Sequence, residues 1–324
     1  MKIAIDCLGG DHSPAANVGG ALLALEDFSD LAVVLYGDET AIKAELSGKT
    51  YPAERVEIVN APEAVDGNDK PIDAIRMKKD SSMIRAVKDL RENDEIKALV
   101  SCGATGILVG ASILRIGRLE GVRRPAFCPV LPTMNGGIVG VCDSGANIDA
   151  SAEQLKQNAI MGSAYLSRAY GIEKPRVALL NVGTEEEKGD DIRREAYKLL
   201  KVEKSVNFVG NMESRDLLSG KYDLVVCDGF SGNVLIKSTE GACLEMLKRL
   251  KKDIMSSFWN KIGALFMLKT FKKEKAFMDY RNYGGSVLLG LEKIVVKGHG
   301  SSNAVAVRKC IGQAYKTAQN GNVI

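Results

Sequence analysis

No apolar run in the 324 residues approaches the ~18–20 needed to cross a bilayer as a helix, so no transmembrane span is expected. No basic leader or small-residue cleavage site comes before the first apolar stretch, KIAID, so a secretory signal is not expected either. Cysteine occurs seven times, an odd count, and never as CxxC. Cys7, Cys102, Cys128, Cys142, Cys227, Cys243 and Cys310 fall mostly in or just after apolar runs, which predicts buried thiols in a reducing cytoplasm rather than disulfides or a zinc site. The dinucleotide fingerprint GxGxxG and the Walker phosphate loop are both missing, which disfavours a dehydrogenase and leaves no cofactor expected. Histidine is scarce, with only His12 and His299.

The chain also lacks a general excess of charge. Nine Lys or Arg against two acids between Lys248 and Lys275 give a local +7 within a total of +3, so the remainder carries about −4. The basic character is therefore one segment and not a nucleic-acid-binding surface.

What is present is an alternation. Short apolar runs (Ile3–Ile5, Leu31–Tyr36, Val56–Val59, Leu99–Val100, Ala126–Leu131, Gly137–Val141, Val177–Leu180, Val206–Val209, Leu224–Val226, Ile294–Val296) read as strands. Segments of helical periodicity stand among them: Ala15–Glu26, Ser82–Asn93, Ile107–Ile116, Ala152–Tyr170, Asp191–Leu200 and Ser238–Lys251. This pattern predicts an α/β fold of βαβ units around one mainly parallel sheet. Six of the strands run into glycine mixed with Asp, Asn, Ser, Thr or His: CLGGDHSP, CGATG, DSGAN, VGTEEEKG, DGFSGN and KGHGSSN. Ligands of open α/β sheets lie outside the carboxyl ends of the strands, so these loops are expected to converge on one cleft.

Each loop has a functional and a structural reading. GGDHSP, with Gly9, Gly10, Asp11 and His12, is either an anion-binding turn or a capped helix start. His12 and His299 lie in polar glycine loops, so each is either a carbonyl-bonded imidazole or an acid–base and anion contact. Lys188 in NVGTEEEKG, and Lys237 just after DGFSGN, can each serve as a fixed cation for phosphate; a solvated charged loop is the plainer alternative. GFSG is not the GxSxG hydrolase elbow. Asp143, Asn147 and Asp149 lack the remaining ligands of a calcium loop, and no metal site is assigned. No side chain stands out as a nucleophile.

The basic segment repeats Leu247, Leu250, Ile254, Phe258, Ile262, Leu265 and Leu268 at helical spacing, with Met255, Trp259 and Phe266 on a second stripe. It reads as a packing helix, as an amphipathic membrane-surface helix, or as a grip for an acidic protein partner.

Taken in order, these stretches resemble one family, the bacterial phosphate acyltransferases that use acyl carrier protein. The resemblance runs over essentially the whole chain, through MKIAIDCLGGDHSP, SCGATG, RPAFCPVLPT, DSGAN, MGSAYL, PRVALLNVGTEEEKG, NFVGN, VVCDGFSGNVLIKSTEG, GGSVLLGL and KGHGSSN. Two places depart from it: Cys7-Leu8 replace the usual Ala-Met, and Cys102-Gly103-Ala104 replace Ala-Gly-Asn, while Thr105 and Gly106 remain.

The resemblance implies a three-layer α/β/α fold related to isocitrate and isopropylmalate dehydrogenases and to phosphate acetyltransferase. Residues 1–324 would form a single catalytic domain, with a projecting amphipathic helical hairpin over 240–280, assembled as a homodimer. The implied reaction moves a long-chain fatty acyl group from acyl carrier protein to inorganic phosphate. The acyl phosphate would feed phosphatidic acid and phospholipid synthesis through a membrane glycerol-3-phosphate acyltransferase. Such an enzyme is cytoplasmic, peripherally associated with the anionic inner face of the cell membrane, and uses no cofactor or nucleic acid. Alternatives are a short-chain phosphate acyltransferase using acyl-CoA and a non-catalytic membrane-recruited scaffold.

In that chemistry phosphate itself is the nucleophile, and the catalytic candidates are Lys188, His12, His299, Asp228, Asn233 and Lys237. Candidate substrate contacts are Asp6, Gly9, Gly10 and Asp11 in the first loop, Thr105 and Gly106 in the second, and Asp143 and Asn147 in the third. Asn181, Glu185, Gly229, Gly232, Ser301 and Ser302 complete the set. Carrier-protein or membrane contact falls to Lys248, Arg249, Lys251, Lys252, Phe258, Trp259, Lys261 and Phe266.

Overall fold

The computed structural model describes residues 1–278 and 284–321, with the side chains of 272, 275, 276 and 278 outside the description. The last two positions of the 240–280 segment, and the side chains of Lys272 and Lys275 in the basic run, therefore lie outside the described residues. The strands form two sheets rather than the single one expected.

The first sheet is built on β1 (Lys2–Asp6), flanked by parallel β2 (Ala32–Gly37) and β4 (Ile96–Ser101). It extends through β3 (Val56–Asn60) on one side. On the other side lie β12 (Ile294–Lys297), β11 (Ser286–Leu289) and β5 (Ala126–Cys128), with β11 antiparallel to both neighbours. The second sheet runs in the order β6 (Val130–Pro132), β7 (Ile138–Cys142), β10 (Leu224–Val226), β8 (Arg176–Asn181), β9 (Asn207–Glu213). All its pairings are parallel except β6 with β7.

The run Ala126–Leu131, expected as one strand, is split by Pro129. Its first half is the edge of one sheet and its second half the edge of the other. Proline has no N–H to give to a ladder, so the chain can leave one sheet there and enter the next. The Pro129 carbonyl still accepts from Val141 N–H at 3.1 Å, which anchors the crossing point to β7.

Helices cover both faces of the first sheet. The pair α1 (Ala15–Asp27) and α11 (Ala304–Gln319) packs on one side, and α4 (Ser82–Glu92) and α5 (Thr105–Arg115) on the other. Strands such as IAID can therefore be apolar on every residue but the last, since both faces are dry. Of the short helices, α2 (Glu39–Leu46) packs by β2 and the edge strand β3, and α3 (Pro71–Met77) packs on α5.

The second sheet carries α6 (Ala152–Tyr170) and α7 (Asp191–Val202). Helix α6 starts at a Ser151–Gln154 capping box and stops at Gly171, whose φ of 71° suits a residue without a side chain. One hydrophobic core, including Ile3, Val33, Tyr165, Val177 and Leu224, runs under both sheets and joins them.

The remaining helices are α8 (Gly229–Met255), α9 (Phe258–Phe266) and α10 (Leu268–Met278), which pack on one another. The expected helix Ser238–Lys251 starts nine residues earlier, so DGFSGN is a helical first turn and not a loop. The Asp228 side chain caps it by accepting from Ser231 N–H at 2.8 Å, which overrides the low helix propensity of two glycines. The single apolar stripe is instead shared among three helices, broken where Ser257 is extended and again at Met267. No described side chain from 241 to 270 is buried.

Candidate active site

The sheet topology brings strand ends together at the junction of the two sheets, where a cleft of about 440 Å³ opens. Its walls come from the start of α5, the Pro129 crossing, the loop after β7, one face of α8 and the loop after β12. The loop after β1 abuts this cleft through Asp11 N–H, which donates to Gly300 O at 2.8 Å. The loop after β8 does not line it.

Acids at the strand ends hold the loops in place. Asp6, at the end of β1, accepts from Ser82 Oγ and Ser101 Oγ at 2.6 Å each, and from Leu8 N–H at 3.3 Å. Burial pushes its carboxyl pKa up and these donors pull it back. Asp143 accepts from Phe127, Ala146 and Asn147 backbone N–H groups and from the Asn147 amide, tying the loop after β7 to β5. Asp228 caps α8 and accepts from Arg193 at 2.6 Å. These three predicted site residues thus act on the site by fixing its backbone.

The glycines do the same. A Cβ on Gly9 would stand 2.4 Å from the Asp6 carboxylate and 2.6 Å from Gly103 N; on Gly229 or Gly232 it would stand 2.2 or 2.0 Å from the Asn147 or Asp143 carbonyl oxygen. Gly10 and Gly106 do not line the cleft, and neither do Asn147, Ser301 or Ser302.

Of the predicted set, Lys237, Asn233, Thr105 and His299 line the cleft. A backbone N–H can only donate, so the 3.2 Å contact from Ser301 N–H makes His299 Nδ1 an acceptor, and Ser301 Oγ lies 2.8 Å from the same atom. Neutral His299 therefore carries its proton on Nε2 and is a hydrogen-bond donor there. Partial burial lowers its pKa, with the ammonium groups of Lys237 and Lys297 acting in the same direction and Asp11 opposing.

Lys297 and Glu240 also line the cleft, and sequence reasoning had not singled them out. Lys297 ends β12, and its ammonium donates to Cys102 O at 3.3 Å and to Gly298 O. Burial lowers its pKa. The signal for it was a lysine closing an apolar strand directly before glycine; for Glu240 it was helical spacing from Asn233 and Lys237.

The structure does not bring Lys188 or His12 to the cleft. Lys188 and Glu185 are exposed in the loop after β8, where the Lys188 carbonyl accepts from Asn181 Nδ2 at 2.9 Å. Asn181 is buried and holds this loop in shape, as the Glu186–Lys201 ion pair does at 2.6 Å. Asp11 and His12 are exposed.

The lining is chemically mixed. It includes Lys237, Lys297, His299 and the hydroxyl residues Thr105 and Ser144, together with the apolar Phe127, Pro129, Val130, Leu131 and Ile236. The nearby thiols of Cys102 and Cys227 are raised in pKa by burial, and that of Cys142 by its hydrogen bond with Cys128 and then by burial, which keeps them from being nucleophilic thiolates. No cluster of three His, Cys, Asp or Glu fit to hold a metal occurs among the described residues. Cationic and hydroxyl side chains beside apolar ones are the groups that an anion and an apolar substituent would each need.

The family model described as "Fatty acid synthesis protein" matches residues 1–324. The chain belongs to that family. Its relatives include a phosphate acyltransferase of Bacillus cereus strain B4264, 45% identical over 313 residues, which cover 97% of this chain and 93% of that one. A phosphate acyltransferase of Clostridium perfringens strain SM101 is 42% identical over 320 residues, 99% of this chain and 94% of its own. Like these relatives, it is a phosphate acyltransferase enzyme.

Among solved structures it resembles a phosphotransacetylase from Streptococcus pyogenes, with a TM-score of 0.66 at 17% identity covering 98% and 94% of the two chains. It also resembles a putative 4-hydroxythreonine-4-phosphate dehydrogenase from Salmonella typhimurium, with a TM-score of 0.53 at 14% identity covering 98% and 99%. At such identities these likenesses speak for the fold alone. No described helix is long and apolar enough to cross a membrane.

Proposed function

We propose that this chain transfers a long-chain fatty acyl group from acyl carrier protein to inorganic phosphate. The observation that carries the reading is the cleft itself, whose lining combines Lys237, Lys297 and His299 with Phe127, Pro129, Val130, Leu131 and Ile236. Phosphate held by the two ammonium groups attacks the thioester carbonyl. A carbon–oxygen bond forms, and the His299 Nε2–H and hydroxyl donors stabilise the oxyanion. The carbon–sulfur bond then breaks, and the carrier's thiolate leaves and takes up a proton. Positioning and preorganised donors each supply several kcal/mol in such a reaction. The apolar wall holds the first carbons of the chain.

In this reading residues 1–324 are one catalytic domain of a homodimer in the α/β/α class of the isocitrate and isopropylmalate dehydrogenases, and no cofactor takes part. Lys188 and His12 keep a role only through a movement of their loops or through a second copy of the chain. The exposed α8–α10 hairpin rests on the inner face of the membrane, where acyl phosphate passes to a glycerol-3-phosphate acyltransferase. Phe258, Trp259 and Phe266 are 69%, 76% and 87% exposed beside Lys252 and Lys261, a pairing that suits an anionic bilayer. Lys248, Arg249 and Lys251 are exposed on α8 and suit an acidic carrier protein.

The test is thiol release from long-chain acyl carrier protein, with and without phosphate, and with mass detection of acyl phosphate. Phosphate-dependent release supports the reading, and the same rate from short-chain acyl-CoA alone would replace it. Carrier and vesicle binding without any release would leave a scaffold.

A further inference from the structure

Asn233, Ile236, Lys237 and Glu240 follow one another at helical spacing, and all four line the cleft, so a single face of α8 forms that wall. Glu240 is out of place there. A cleft that gathers Lys237, Lys297 and His299 for an anion has no electrostatic use for a carboxylate, which repels what the others attract. It is half-buried, it forms no salt bridge among the described residues, and the cation acting on it is Lys237, one turn earlier on the same helix.

The chemistry of inorganic phosphate resolves the conflict. Near neutral pH every phosphate ion carries at least one P–OH group, whereas sulfate, of the same shape and size, carries none. An ionised carboxylate has only lone pairs to offer. It accepts a hydrogen bond from the phosphate hydroxyl, but against sulfate it sets lone pair against lone pair and charge against charge.

We propose that Glu240 is the selectivity residue of the cleft, accepting a hydrogen bond from the hydroxyl of bound phosphate and thereby admitting phosphate while excluding sulfate. The inference rests on the reading of the cleft as a phosphate site. Burial raises the carboxyl pKa of Glu240 against the opposing pull of Lys237, which makes it a stronger acceptor. Arsenate also carries a hydroxyl near neutral pH, so the same rule groups it with phosphate.

The experiment is calorimetric titration of the full chain near neutral pH with sodium phosphate, arsenate and sulfate, for the native protein, Glu240→Gln and Lys237→Ala. Phosphate and arsenate should bind at least about tenfold more tightly than sulfate, the worth of one hydrogen bond to a charged group. In Glu240→Gln the gap should shrink to about threefold or less, since an amide can donate to sulfate and bears no charge. Native protein that binds sulfate as well as phosphate overturns the proposal without any variant. A Glu240→Gln protein that keeps the full gap overturns it too. Lys237→Ala separates the two levels. If it weakens phosphate binding while selectivity is absent, the phosphate site stands and Glu240's role falls. If phosphate binds regardless of Lys237, or not at all, the reading of the cleft falls and this inference with it.

Discussion

At the scale of single residues, Lys297 and His299 show how function and stability pull apart. Burial lowers the pKa of Lys297 below 10.5, so its ammonium costs the fold something even with two carbonyls receiving it. Lys297→Met should therefore melt no lower than the native protein by scanning calorimetry, while phosphate-dependent turnover falls about 100-fold or more. Intact turnover with a lowered melting point would make Lys297 a packing residue.

His299 titrates below its ordinary 6.5. A depressed folded-state value means that its contribution to stability is present above 6.5 and is lost as pH falls through the folded value. With only two histidines in the chain, the imidazole is readily followed by NMR, and Lys237→Ala should raise its midpoint by removing a repelling cation. An unmoved midpoint would place Lys237 too far away to share a ligand with it. The sequence pointed to His299 and Lys237 because they stand in or beside glycine-bearing stretches at strand ends. Lys297 was hidden because a lysine at a strand end is commonplace, and only burial against Cys102 O distinguishes it.

At the scale of elements, α8 contains two kinds of glycine. Gly232 rests on the Asp143 carbonyl, whereas Gly241 faces open space in the helix interior. The same substitution should therefore have opposite signs on one helix. Gly232→Ala should cost about 1–3 kcal/mol from overpacking, and Gly241→Ala should gain about 0.5–1 kcal/mol from lost backbone freedom in the unfolded chain. Urea unfolding measures both, and a neutral Gly232→Ala would show that loop 143–147 gives way. The glycine-rich stretches were legible as special, but their reason was not. Both an anion-binding turn and a close approach of two backbones require glycine, and only the distant partner tells them apart. The strand at Ala126–Leu131 shows the same limit. Pro129 was visible, but which sheet each half joins depends on β11 and β7, far away along the chain.

At the scale of the molecule, alternation of strand and helix signalled the α/β class, since both faces of the first sheet are covered. The second sheet was not legible, because local pattern carries no record of which strands pair. The exposed aromatic tip of the α8–α10 hairpin gives a prediction that separates location from chemistry. Trp259→Glu with Phe266→Glu should abolish co-sedimentation with anionic vesicles and leave turnover with dissolved acyl carrier protein within about twofold. Vesicle binding that survives both changes would put the contact elsewhere.

Helix α8 reaches from the cleft to the start of that hairpin without a break. From Lys237 to Met255 it rises about 27 Å at 1.5 Å per residue. It is in effect a ruler. Whatever the far end touches, the cleft is held at a set standoff from it, comparable to the ~30 Å depth of a bilayer's hydrocarbon. In the proposed reaction, an acyl phosphate made in the cleft would therefore not simply drop into a membrane beneath the tip. It would have to travel the length of the rod, and a helix shortened by a turn would change that journey while leaving the chemistry at its start untouched.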